Sequence, residues 1–276
     1  EPPAVAGEGP RGAPPAVGEK PSGQTAEEVA LRDQAVLLRG GGVTLELGAW
    51  YARGERDFGV GQLQQSVAVG ELAVRVGLVD DVQLSARVPW RYRHAVLVVP
   101  GDPAAPTSSD THRGFGDLAL GLFAVALHEG AGRPNLIFSL EGIAPTGPGD
   151  AGVGTGLSLT RSYDPVILFA GVSWMYGLRI DPHDPDRALA QHNVGFHAGY
   201  AFAVNESVAL GGRLIGTFRN YGATPSGFRP SREQYRLQLG LTYLVIRQVF
   251  AEPTVTIGLG GASPDVVFGL SLPASF

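Results

Sequence analysis

From Val43 to the last residue, apolar and polar side chains exchange places at every step. A period of two puts successive side chains on opposite faces of an extended chain, so each such run predicts a strand. In Tyr235-Arg236-Leu237-Gln238-Leu239-Gly240-Leu241-Thr242-Tyr243, one face carries Tyr235, Leu237, Leu239, Leu241 and Tyr243. The other carries Arg236, Gln238, Gly240 and Thr242. The same division runs through 82–92 and 194–202. It predicts about twelve strands, near 43–53, 64–78, 82–96, 114–127, 134–145, 154–163, 165–178, 190–203, 206–219, 232–246, 248–258 and 265–276.

The connections add an orientation. Short ones fall near 79–81, 128–133, 164–165, 204–206 and 247, and longer ones near 54–63, 97–113, 146–153, 180–189 and 220–231. Short turns at one end and long loops at the other, on an even number of strands, predict an all-β transmembrane antiparallel up-and-down β-barrel over 43–276. About 9–11 tilted residues cross the hydrocarbon layer, and these runs reach that length. Trp50 with Tyr51, Trp90 with Tyr92, Trp174 with Tyr176, and Tyr235 with Tyr243 sit near strand ends, where barrels carry aromatic girdles. The final strand, with Phe268, Leu270, Leu272 and Phe276 in alternation, resembles the signal by which bacterial outer-membrane barrels are handed to their insertion machinery. Pro273 is tolerated near a strand end.

Ahead of the strands, residues 1–24 hold six prolines among Gly, Ala and Glu. Such a stretch cannot bury enough apolar surface to order itself and reads as a flexible periplasmic linker. Residues 25–39 predict one short helix: Thr25 with Glu28 forms a capping box, and Gly40 stops it. The segment 25–42 would plug the barrel or dock a periplasmic partner.

Composition narrows the surroundings. The 276 residues include 40 Gly and 21 Pro, nearly twice the usual joint share of about 12%, which argues against a helical protein. Charged residues make up 17%, below the usual share of about 25%, as a lipid-facing band requires. A water-soluble β-sandwich also alternates, but here the polar faces are rich in Gly, Ala and Ser with few Lys or Glu, which suits a crowded lumen. A net charge of −5 with no basic run argues against nucleic acid, and the absence of Cys excludes thiolate chemistry. No apolar run is long enough for a transmembrane helix. A start at Glu1 without Met suggests a processed or trimmed mature chain, which is compatible with export.

Several motifs resemble an outer-membrane family named after the meta-pathway of phenol degradation. They are Gly114-Phe115-Gly116-Asp117-Leu118, Ala144-Pro145-Thr146-Gly147, Gly154-Thr155-Gly156 and the strand from Asp164-Pro165-Val166 to Tyr176. Residues 31–38 followed by Gly42-Val43-Thr44-Leu45-Glu46 look like the approach to the first strand in such proteins. The resemblance spans roughly residues 31–276 and implies an outer-membrane barrel with a transporter role.

If the apolar faces meet lipid, Glu46, Glu71, Arg75, Arg87, Arg91, Arg93, Asp117, Glu141, Arg213, Arg219, Arg236 and Glu252 line the lumen. Seven are basic and five acidic. The arginines could form a selectivity lining for anions or aromatic carboxylates, or the set could form salt bridges that fill a narrow barrel. Asp117 is expected to pair with a lumen Arg. His183 near Asp181, Asp184 and Asp186, and His192 with His197, lack dedicated metal-ligand spacing, so neither metal nor cofactor is expected. No nucleophile and base stand in recognisable relation, and 152–156 lacks the Lys of a phosphate loop, so catalysis is not expected. The expected function is passive admission of small amphipathic or aromatic solutes across the bacterial outer membrane, with both termini periplasmic. The alternative is a non-conducting anchor or scaffold in a larger envelope assembly, with a protein partner on residues 1–42.

Overall fold

The alternation becomes thirteen strands in the computed structural model, which describes residues 29–30, 37–57, 62–98, 108–130, 132–147, 151–181, 184–221, 232–260 and 263–276. They are β1 (Val43–Asp57), β2 (Gln62–Val79), β3 (Val82–Val98), β4 (Ser108–Phe115), β5 (Leu118–Leu127), β6 (Asn135–Ala144), β7 (Ala151–Tyr163), β8 (Val166–Asp181), β9 (Asp184–Asn205), β10 (Val208–Tyr221), β11 (Arg232–Ile246), β12 (Val249–Gly258) and β13 (Val266–Ser275). Each is antiparallel to its neighbours, and β1 pairs with both β2 and β13, so the sheet closes on itself. At the seam, the Phe276 N–H donates to the Val43 carbonyl at 2.8 Å. Closure removes both edges, which a sheet in hydrocarbon cannot leave unpaired.

Thirteen segments occupy twelve positions around the barrel. β4 and β5 share β3 as their partner, with Trp90 opposite Phe115 and Arg87 opposite Ala119. Between them the strand breaks at Gly116-Asp117. Its neighbour there is Pro89, which has no N–H to donate to a ladder. Gly116 bridges the fault by donating its own N–H to the Pro89 carbonyl at 2.7 Å, and a Cβ at Gly116 would stand 2.8 Å from Pro89 Cγ.

The expected loop at 97–113 therefore needs correction, because 108–113 belongs to β4. Its polar side chains show no apolar alternation; backbone pairing to the upper part of β3, from Trp90 to Leu97, makes it a strand. β8 and β9 likewise run through much of the expected loop at 180–189, with Arg179 opposite Leu189 and Asp181 opposite Asp184.

The apolar faces point outward. Leu47, Val172, Leu239, Phe268 and Leu270 are exposed, whereas the buried apolar residues among those described are few and include Ala73, Ala95, Ala201 and Ala209. A soluble sandwich would put those large side chains in its core; here they form a band that needs lipid. Tyr51, Trp90, Tyr92, Trp174 and Tyr243 lie exposed on this outer wall. Trp50 does not: it has the parity of Glu46 and lines the interior, which corrects its assignment to a girdle.

Of the expected helix, Val29 and Ala30 are helical, Leu37 to Arg39 are not, and 25–28 and 31–36 lie outside the described residues, as does the linker. Val29 is buried against Ala209 and Phe250, and the Leu38 N–H donates to Gln83 Oε1 at 3.0 Å. The Gly41 N–H donates to the Gly77 carbonyl at 2.8 Å. These contacts hold the N-terminal segment at the short-turn end, where β1 starts and β13 finishes.

Candidate functional site

The interior is built from the polar faces. Its main chamber, about 800 Å³, is walled by Arg75, Arg87, Arg91, Arg213 and Arg236, by Glu46, Glu71, Asp117 and Glu141, and by apolar side chains including Trp50, Phe123 and Ile215. Toward the loop end, a vestibule of about 220 Å³ is lined by Gln65, Val67, Gln234 and Arg236. Toward the turn end, a cavity of about 140 Å³ reaches Ala30, Phe169, Thr242 and Glu252. Arg236 belongs to the walls of both vestibule and chamber; Glu46, Trp50, Arg213 and Gln238 belong to both chamber and lower cavity.

The charges are not mixed evenly. On β1 to β6, Arg75 Nη2 meets Glu46 Oε2 at 3.1 Å, with both side chains largely buried. Ser271 Oγ donates to the other Glu46 oxygen at 2.5 Å, so one carboxylate ties β2, β1 and β13 together. Arg87 Nη2 meets Glu141 Oε1 at 2.5 Å in a more open position. Across the barrel, Arg213 Nε donates to Gln238 Oε1. Below them, Thr242 Oγ1 donates to Glu252 Oε1 at 3.1 Å.

Arg93 and Arg219 are exposed and do not line the chamber; the Arg219 Nε–H donates to Asn193 Oδ1 at 3.2 Å. Phe268, Leu270 and Leu272 lie exposed on the outer wall, and Phe276 is exposed just beyond β13.

Asp117 departs from expectation. Its Oδ1 accepts the Gly147 N–H at 3.0 Å, rather than meeting an arginine. Beside it, the Leu118 N–H donates to Thr146 Oγ1 at 2.9 Å, and that hydroxyl donates to the Gly116 carbonyl at 3.4 Å. The motifs at 114–118 and 144–147 thus form one clasp, which supplies partners to backbone groups that the strand break frees.

His192 and His197 are five residues apart, and an odd interval puts them on opposite faces of β9. His192 packs outside against Trp174 and Tyr176, while His197 lines the chamber, which removes the pairing of these two as metal ligands. Residues 182–183, with His183, lie outside the described residues. Among the described residues no group of three His, Cys, Asp or Glu side chains is placed to hold a metal ion. Sequence reading placed His197 and Gln238 on the polar strand faces and missed Trp50 as an interior residue, for which strand parity with Glu46 was the available signal.

Four likenesses to known proteins bear on this geometry. The sequence profile of the family described as "Putative MetA-pathway of phenol degradation" matches residues 20–272. An outer-membrane channel from Pseudomonas putida F1 superposes with a TM-score of 0.67 at 12% identity, covering 89% of this chain and 98% of that one. The translocator domain of the autotransporter NalP from Neisseria meningitidis gives 0.57 at 10% identity, covering 86% and 90%. The NanC porin gives 0.53 at 8% identity, covering 84% and 98%. At such identities the likeness is one of fold, and the fold is that of bacterial outer-membrane barrels.

Proposed function

The chain belongs to that MetA-pathway family, and from this premise we propose that it is an outer-membrane channel admitting small amphipathic or aromatic solutes by passive diffusion. The observation that carries the reading is the succession of vestibule, chamber and lower cavity along the barrel, each sharing wall residues with the next. Charged and apolar side chains alternate along this wall, which suits a solute with a polar head and an apolar body better than a bare ion. The short turns, the start of β1 and the end of β13 face the periplasm in this reading, and the long loops face outward. The lumen offers diffusion past fixed charges; no reaction is assigned to it.

A second reading is a non-conducting anchor or scaffold. It is favoured by the burial of Val29 and Leu38 at the turn end, with Ala30 in the wall of the lower cavity. Planar-bilayer conductance of the full chain and of a variant lacking residues 1–42 separates the two. The channel reading expects current that rises when residues 1–42 are absent. No current from either protein would remove it in favour of the scaffold.

A further inference from the structure

The β9–β11 side of the chamber differs from the rest of its wall. Among the described residues, all four acids lining the chamber stand elsewhere: Glu46 on β1, Glu71 on β2, Asp117 at the strand break and Glu141 on β6. From β9, β10 and β11 come His197, Arg213, Ile215, Arg236 and Gln238. Pairing fixes their arrangement. His197, Ile215 and Arg236 stand side by side on three adjacent strands, and Gly199, Arg213 and Gln238 form the neighbouring row.

Two nitrogens in the first row, Arg236 Nε and His197 Nε2, are buried without a hydrogen-bond partner. A buried donor left unmade is costly, and native structures retain few without a reason. Arg236 neighbours the apolar Ile215 and stands where the vestibule meets the chamber, whereas the His197 ring lies over Gly171 of β8.

We propose that this wall is a binding site for small monocarboxylates with a compact apolar body. The guanidinium of Arg236 receives the carboxylate at the mouth of the chamber, and the hydrocarbon part lies on the neighbouring Ile215. Arginine suits this task because its planar fork matches a carboxylate. A single carboxylate matches the one guanidinium fork of Arg236, because Arg213 in the next row already donates its Nε–H to Gln238 Oε1. An apolar body is favoured over a bare anion, because Trp50, Phe123 and Ile143 also face the chamber. The site deepens the channel reading by naming a solute class, and it is tested apart from conduction.

The test uses the full chain in detergent, with equilibrium dialysis of benzoate as the probe and benzyl alcohol as its uncharged counterpart. Saturable benzoate binding is expected, at least tenfold tighter than that of benzyl alcohol. Arg236→Gln should weaken it at least tenfold, and Arg161→Gln, which removes a cation packed over the Tyr163 ring outside the chamber, should leave it unchanged. Each variant is first checked for the heat-dependent gel shift of a folded barrel. Absence of benzoate binding, equal binding of benzyl alcohol, or full binding by folded Arg236→Gln overturns the site. The alcohol comparison needs no variant and decides the matter even if Arg236→Gln fails to fold. A barrel that binds benzoate through Arg236 but carries no current keeps the site and loses the channel reading. One that conducts without binding benzoate does the reverse.

Discussion

Removing the Glu46 carboxylate should loosen the barrel where its first and last strands meet. Glu46 stands on β1 opposite Ala73 of β2 and Pro273 of β13, and its oxygens reach the diagonal neighbours Arg75 and Ser271. Diagonal pairs across a sheet lie within reach of long side chains. Side-chain exposure is 12% for Arg75 and 9% for Glu46, so the pair is mostly out of water. Breaking one side of a buried pair costs about 3–5 kcal/mol. Glu46 also borders the chamber, where solvent can partly stand in for the lost partner, and Gln keeps the shape and a neutral hydrogen bond. Glu46→Gln should therefore cost about 2 kcal/mol, with Arg75→Met costing a similar amount.

The double variant is the informative one. Once Glu46 is neutral, Arg75 is a buried cation without that carboxylate, and replacing it by Met relieves the penalty. The combined loss should fall short of the sum by about 1.5 kcal/mol. Reversible urea unfolding in micelles, followed by tryptophan fluorescence, measures all three. With a slope of about 2 kcal/mol/M, each single change lowers the midpoint by about 1 M. Losses that add to within about 0.5 kcal/mol would refute coupling between the two side chains and with it the account of the seam.

Other positions separate fold from lumen chemistry. Glu141→Gln should change stability by less than about 0.5 kcal/mol, because its pair with Arg87 is exposed, yet shift the reversal potential toward anions by removing a negative charge from the chamber wall. An unchanged potential would place Glu141 off the conduction path. Leu140→Arg, on the outer wall of β6, should cost about 2–4 kcal/mol and lower the folded fraction in lipid vesicles, read by heat-dependent gel mobility. Normal folding would contradict the outward face of β6. Asp117→Ala should cost about 1–2 kcal/mol through the lost acceptor for Gly147, while Asp117→Asn, which keeps an oxygen there, should cost less. Equal losses by urea unfolding would point to the charge rather than the clasp.

The direction of each side chain was legible because strand parity depends only on sequence spacing: Glu46, Leu47, Arg236 and Leu239 fall on the faces that their positions dictate. What a side chain meets was not legible, because that depends on register between strands distant in sequence. Pro89 and Gly116 each look ordinary, and their conflict arises only when β3 lies beside β4 and β5. The partner of Asp117 is a backbone N–H thirty residues away, to which no residue type points. Trp50 misled because an aromatic near a strand end suits a girdle, although its parity with Glu46 already placed it inside. His192 and His197 were separable by their odd interval alone.

The near balance of seven basic and five acidic positions pointed to a lumen of no particular sign, and strand order changes that conclusion. Coulomb interaction falls with distance and is screened over about 10 Å in salt, so a solute in the barrel senses the wall beside it rather than the total. Glu46 with Arg75 and Glu141 with Arg87 neutralise one another locally on β1 to β6. The wall of β9–β11 carries Arg213, Arg236 and His197, with no chamber-facing acid of its own among the described residues. A solute passing through therefore meets two unlike sides of the lumen wall, which favours one orientation for a molecule with a charged end and an apolar end. Balance in composition is compatible with selectivity when the charges are segregated around the circumference, and register sets that segregation.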